Sequence, residues 1–168
     1  YKGGRTAAGL ISKICPPDTN IGVIISSHNL SCHQDRLRGF EDKLAELNSD
    51  FKILDIQENQ DRKDDAFRIT LEYCNNYPEL GAIYLTSGGI TGVASALEIA
   101  EKTQQIKVIC HDITTDTVPL LKKGVVDFAL GQSPVLQGYQ LVKTLFEYLV
   151  KNICPPDNVE IPITIATD

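Results

Sequence analysis

The sequence contains no methionine and opens on Tyr1. A translated chain begins with methionine, so the expectation is a processed chain or a piece of a longer one. No run approaches the roughly 18 apolar residues of a membrane span, and no stretch reads as a signal peptide. Clustered lysine and arginine are also missing, and the net charge is −6. Phosphate contacts need such clusters, so this segment is not expected to bind nucleic acid by itself. Neither GxxxxGK[ST] nor a GxGxxG in a first βαβ unit occurs, and there is no GxSxG elbow to present a nucleophilic serine. Cysteine is present without any metal-binding pattern: the five are Cys15, Cys32, Cys74, Cys110 and Cys154, an odd number with no CxxC pair. A zinc site is therefore not expected, no other metal or cofactor is implied, and unpaired thiols favour a reducing cytosol.

What is present is ordinary for a globular domain: 168 residues, 42% apolar and 23% charged, enough for one real core. Short apolar runs alternate with amphipathic stretches. Residues 3–14 read as a helix stopped by Cys15-Pro16-Pro17-Asp18, and the same Ile-Cys-Pro-Pro-Asp recurs at 153–157 as repeated helix-stop chemistry. Ile21–Ile25 reads as a buried strand, followed by a polar loop from Ser26 to His33 and a helix over Gln34–Leu47. Phe51–Ile56 is the second strand, and the charged loop Asn59–Asp65 leads into a helix ending near Tyr77-Pro78. The central stretch, Gly81–Ala100, is a strand (Ala82–Leu85), a Thr86-Ser87-Gly88-Gly89 turn and an amphipathic helix. Lys107–Cys110 is the fourth strand, a helix follows between Thr114 and Gly124, and Val125–Leu130 is the fifth strand. A long helix covers Leu136–Val150, and Ile161–Ile165 is a last strand that Pro162 assigns to an edge. This alternation predicts an α/β fold: a three-layer, doubly wound, mostly parallel sheet.

In such a sheet the C-terminal strand tips share one edge, where ligands bind. Here the tips carry Ser26–His33 (with Ser27 and His33), Ser87 and Gly88, His111-Asp112, and Gln132. Arg36 is expected in the first turn of the next helix, an unfavourable place for a cation, and that supports a special role. One guanidinium, one carboxylate, an amide and several hydroxyls suit a polyhydroxylated ligand. Blander readings stand beside these: Arg36 paired with Asp35 or Glu41, Asp112 capping a turn, Gln132 as loop filler, His33 as an exposed loop histidine. The Ser87–Gly92 stretch also allows a weak phosphate-loop reading, with a simple tight turn as its alternative.

The order of elements resembles the ligand-binding domain of LacI-family transcriptional regulators, which share the type I periplasmic sugar-binding-protein fold. The matching stretches are GRTAAGLI, NIGVIISSHNLSCHQDRLRGFEDKL, AIYLTSGGITGVASAL, KVICHDI and FALGQSPVLQGYQLVKTLFEYL. In the family an arginine three residues before Gly-Phe contacts the ligand, which maps to Arg36. The carboxylate closing a VxGxD-like strand maps to Asp112, with His111 where an aromatic is common, and the glutamine of a QxP loop maps to Gln132. The resemblance implies the C-terminal subdomain over residues 1–132 and 159–168, and a helix at 133–152 that packs on an N-terminal subdomain not included here. It further implies a non-enzymatic, cytoplasmic, effector-sensing function for a sugar or similar small polar molecule. DNA would be bound only through an upstream helix-turn-helix. The apolar stripe of the helix at 133–152 (Tyr139, Val142, Leu145, Phe146 and Leu149) is expected to dock on a second copy, giving a homodimer, rather than fold back onto its own sheet. Where many members carry Asn-Asp after the central strand, this chain has Thr86-Ser87-Gly88. The competing expectations are a periplasmic sugar-binding protein of a transporter, against which the cysteines count, and a small α/β enzyme, for which no adequate nucleophile–base pair is visible.

Overall fold

Successive side chains of a strand point to opposite faces of the sheet, which decides the layer each residue serves. In the computed structural model, which describes residues 1–47 and 50–168, the strands are β1 (Asn20–Ile25), β2 (Lys52–Glu58), β3 (Leu80–Leu85), β4 (Lys107–His111), β5 (Phe128–Gly131) and β6 (Thr164–Ala166). The helices are α1 (Lys2–Ile14), α2 (Ser31–Glu46), α3 (Lys63–Asn76), α4 (Ile90–Ile99), α5 (Thr117–Lys122) and α6 (Pro134–Lys151). One sheet has the order β2-β1-β3-β4-β5-β6, parallel except for β6, which runs antiparallel to β5 at the edge. Ile21, Val23, Ile25, Ala82, Tyr84 and Ile109 pack toward Ala7, Ile11 and Phe40 of α1 and α2. Ile24, Ile83, Leu85, Val108 and Cys110 pack toward Ile69, Tyr73, Val93 and Leu97 of α3 and α4. Both faces are covered, which is why the central strands read as unbroken apolar runs. Each layer has an aromatic anchor. Phe40 stacks on Tyr84 with ring centroids 4.5 Å apart, and the Tyr73 hydroxyl donates to the Val23 carbonyl at 2.8 Å.

The chain leaves β1 for β2 on one side and returns to β3 on the other, so a crevice opens between the β1 and β3 tips. Two close helix crossings frame it. A Cβ on Gly4 of α1 would stand 1.8 Å from the Arg36 carbonyl oxygen, and one on Gly92 of α4 would stand 1.9 Å from that of Lys63. These positions let backbones touch, and the first fixes α2, which carries Arg36, against α1.

Several boundaries differ from the sequence reading. Helix α2 starts at Ser31, so the polar loop is shorter, His33 is helical and buried, and Arg36 falls in the second turn. The helix-dipole argument for Arg36 therefore does not apply. Strand β5 begins only at Phe128, because Gly124 stops α5 in a left-handed conformation (φ 66°) and Val125 and Val126 belong to the turn that follows. Pro162 precedes the edge strand rather than lying within it. Helix α6 buries none of its residues: Tyr139, Val142, Leu145, Phe146 and Leu149 are each more than half exposed. It does not fold back onto its own sheet.

The glycine geometry gives a paired test. Gly4→Ala and Gly92→Ala each force a backbone shift, and overpacking of this kind typically costs about 1–3 kcal/mol. Gly138→Ala in α6, where an added methyl meets nothing within 4 Å, is expected to stabilise by roughly 0.5–1 kcal/mol through helix propensity. Urea denaturation of the three variants checks the signs.

Candidate functional site

Strand β3 is followed by a fully buried threonine, Thr86, which gathers three polar contacts. Arg36 Nη1 donates to its carbonyl oxygen, and His33 Nδ1 shares a hydrogen bond with its hydroxyl at 3.1 Å. Its own N–H continues the ladder to the Ile24 carbonyl at 2.8 Å. Arg36 thus aims across the sheet edge, while the salt bridge to Asp35 belongs to Arg38. Next to this group, Tyr84 OH and His111 Nε2 are 2.8 Å apart. Burial lifts the Tyr84 phenol well above its ordinary pKa, so it stays protonated. Burial, followed by the positive charge of Arg36, pushes His111 down to about 3, and burial then Arg36 also lower His33. Both imidazoles are therefore neutral at pH 7, and Arg36 is the cation of this layer. His111 Nδ1 has no hydrogen-bond partner, although the residue is only 6% exposed.

The Thr86–Gly89 turn is held from below by the loop between β2 and α3, a role the sequence reading missed. Asn59 is fully buried. Its Nδ2 donates to the Gly88 carbonyl at 2.7 Å, and its Oδ1 accepts from Ser87 Oγ at 2.9 Å and from Asp61 N–H at 3.1 Å. Asp61 accepts from Gly88 N–H and from Ser26 Oγ, both at 2.8 Å. Gln60 and Asp61 adopt left-handed φ values of 52° and 57°, a conformation that Asp tolerates better than most residues. The signal was an Asn-x-Asp directly after an apolar strand, read only as a charged loop. The same geometry weakens the phosphate-loop reading, since a carboxylate already takes the Gly88 N–H.

Asp112 follows β4 in a left-handed conformation (φ 69°), fixed by its N–H to the Leu130 carbonyl at 2.9 Å and by Thr117 Oγ1, which donates to its own carbonyl at 2.9 Å. This backbone turns the carboxylate toward β5, where Gln132 Nε2 donates to Oδ1 at 2.6 Å. Gln132 is no loop filler: its carbonyl also accepts from Gln137 Nε2 at 2.6 Å. The candidate residues therefore reach one edge of the sheet, but around two adjoining cavities. The first, about 300 Å³, is lined by Arg36, Gln132 and His111 among others, and the second, about 340 Å³, by Ser87, Gly88, Asp112 and His111. Ser27 lines neither cavity; its hydroxyl accepts from Asn29 N–H at 3.2 Å and organises its own loop. His33 also lines neither and supports Thr86 from beneath. Among the described residues no group of three or more His, Cys, Asp or Glu could hold a metal ion. The exposed donors and acceptors can exchange hydrogen bonds with hydroxyl groups, with the Arg36 guanidinium giving and the Asp112 carboxylate receiving.

His111 makes stability depend on pH. Unfolded, its imidazole titrates near 6.5; folded, near 3. Between those values the unfolded state binds the extra proton, so this contribution is complete above pH 6.5 and is lost as pH falls toward 3. The slope is at most about 1.4 kcal/mol per pH unit. His111→Phe is expected to remove this component. Urea denaturation from pH 7 to pH 4 should therefore show the wild type losing its margin over the variant; parallel profiles would contradict a neutral, buried His111.

Comparison with known proteins places this geometry in context. A D-ribose/D-allose-binding protein from Pseudomonas aeruginosa is 23% identical over 170 residues, which cover 99% of this chain and 53% of that protein. A glucose-galactose binding protein from Geobacillus stearothermophilus superposes with a TM-score of 0.91 at 24% identity, covering 99% of this chain and 59% of that one. An arabinose binding protein from the same organism gives 0.90 at 26% identity, with 99% and 60% covered. The chain thus spans a little over half the length of these proteins. The family description "Periplasmic binding protein domain" matches residues 1–152. With its mostly parallel six-stranded sheet and its polar C-terminal edge, the chain belongs to the periplasmic binding protein domain family.

Proposed function

We propose that this chain is one lobe of a sugar-binding protein, and that its sheet edge supplies half of a cleft that closes on a neutral sugar. The observation that carries this reading is the convergence of Arg36, Asp112 and Gln132 on one edge, each held by a bond that leaves further hydrogen-bonding capacity toward solvent. The relatives' names support it: proteins for ribose or allose, glucose or galactose, and arabinose. Solved relatives described as solute-binding proteins of ABC transporters favour a transporter component over the regulator that the sequence alone suggested. A non-catalytic role agrees with the serines nearby. Ser26 donates to Asp61, and the buried His33 is engaged by Thr86, so these two do not form a serine–histidine pair.

One observation favours the effector-sensing reading. All five cysteines are free, and two of them, Cys32 and Cys154, are exposed. Exposed thiols suit a reducing cytosol. On that reading the protein is cytoplasmic and dimeric, and it meets DNA through a domain outside this sequence. On either reading the bare apolar stripe of α6 packs on the other subdomain of the intact protein, or on a second copy. Light scattering of the intact protein over a dilution series separates those two partners.

Calorimetry on the intact protein with ribose, allose, glucose, galactose and arabinose tests the sugar assignment. Asp112→Asn is the clean variant, because Asn tolerates the left-handed backbone that Ala would strain. Losing a charged hydrogen-bond partner costs about 1.5–3 kcal/mol, so affinity is expected to fall at least tenfold. Unchanged affinity would remove Asp112 from the site. The isolated segment is expected to bind weakly, since half of the cleft is absent.

A further inference from the structure

The sheet has two outer strands, and they are built differently. On one side β6 is only three residues long. On the other, β2 is seven residues long and pairs with β1 alone. The outer side of such a strand carries main-chain donors and acceptors that can template pairing with another chain. The sequence suits it: Phe51–Gln57 is rich in strand-favouring residues and has neither proline nor glycine.

Main-chain hydrogen bonds show which groups face out. Lys52 N–H donates to the Thr19 carbonyl at 3.3 Å and Asn59 N–H to the Ile25 carbonyl at 2.9 Å, both toward the β1 side. Backbone groups alternate in direction along a strand. Counting back from Asn59, Gln57 and Asp55 face β1 and Ile56 faces outward. The register slips between Ile53 and Asp55, leaving Leu54 as a bulge. The side chain just after that bulge closes the edge. Asp55 Oδ1 accepts the outward Ile56 N–H at 2.8 Å, and Gln57 Nε2 donates to Oδ2 at 2.9 Å, which holds the carboxylate in place. A carboxylate in the middle of the strand thus occupies the N–H that an incoming strand would use.

We propose that the outer edge of β2 is a latent interface for a second copy of this chain, and that Asp55 keeps it unpaired. Two copies related by a twofold axis meet antiparallel, and a register centred on Asp55 places Lys52 of each against Glu58 of the other. The ends of the strand are therefore complementary in charge. At the centre the two Asp55 carboxylates would face each other, and like charges directly opposite oppose pairing. Each would also have to release the Ile56 N–H. One side chain thus opposes pairing twice, by its charge and by occupying the donor. This inference stands apart from the sugar-binding reading, since no residue of β2 lines either cavity at the strand tips.

The test uses the intact protein with Asp55→Val and Asp55→Thr, which favour strands and carry no carboxylate, and with Asp55→Asn, which keeps an acceptor and loses the charge. Sedimentation over a dilution series measures association, with the wild type as reference so that any contact through α6 cancels from the comparison. The Val and Thr variants are expected to self-associate at least tenfold more tightly than the wild type, with Asn between them. Hydrogen exchange of the Ile56 amide is expected to slow with rising protein concentration in the Val variant and not in the wild type. Folded variants that associate no more than the wild type would overturn the proposal. Association that leaves Ile56 exchange unchanged would place the contact elsewhere and overturn it too. Urea denaturation identifies a variant that does not fold, and loss of folding in both the Val and Thr variants would assign Asp55 to the fold itself, against the proposal.

Discussion

A polar group removed from water must find a partner, and the end of β3 concentrates that requirement. Thr86 is fully buried, and so is Asn59, which faces the same turn. An unpaired donor or acceptor there would cost about 1–3 kcal/mol, so the chain must bring partners from several elements to one place. It brings Arg36 and His33 from α2, Asn59 and Asp61 from the loop after β2, and Ser26 from the tip of β1. The site follows from this packing problem. Of these side chains, Arg36 and Asp61 also line the cavities at the edge.

The layers were legible because burial writes itself into sequence. The continuous runs Ile21–Ile25 and Ala82–Leu85 could serve only strands covered on both faces, and the structure buries every residue of each. The strand ends were legible less well. The first residue of α2 was misplaced because Ser31 to His33 were read as polar loop although Ser31-x-x-Gln34 has capping-box spacing, and the actual N-cap, Leu30, makes no side-chain hydrogen bond. The fifth strand was drawn too long because Val125 and Val126 look like strand residues, while the turn after Gly124 claims them by backbone hydrogen bonds to Leu120. Periodicity reports burial well and backbone direction poorly.

At the site the same division holds. Arg36, Asp112 and Gln132 were legible from their positions after strand tips together with a family resemblance. Their partners were not. That Arg36 would choose a main-chain oxygen on β3 over Asp35 beside it depends on the approach of α2 to the sheet, which glycines at the helix crossing set. Asn59 and Asp61 were invisible as site residues because their role is to hold another loop in place, and nothing in a single loop's composition records its neighbour. Ser27 and His33 show the converse. Both stand near a strand tip in sequence, yet a tip has a face turned inward, and those two side chains serve it.

The charge balance of the edge narrows what it can hold. Arg36 lies among neutral histidines, since burial and then its own field keep His33 and His111 unprotonated at pH 7; Lys2 lines the first cavity beside it and Lys63 the second. Asp112 is the matching carboxylate, and one of its oxygens is already occupied by Gln132. Both cavities carry charges of both signs, Lys2 and Arg36 with Asp35 around the first and Lys63 with Asp61, Asp112 and Asp116 around the second. Desolvating an unmatched charge is expensive, whereas hydroxyl groups exchange water for such donors and acceptors at little net cost. The shape of this edge is set in part by the imidazole of His111, which lines both cavities. That ring keeps its place because Tyr84, stacked on Phe40 in the core, holds it from below.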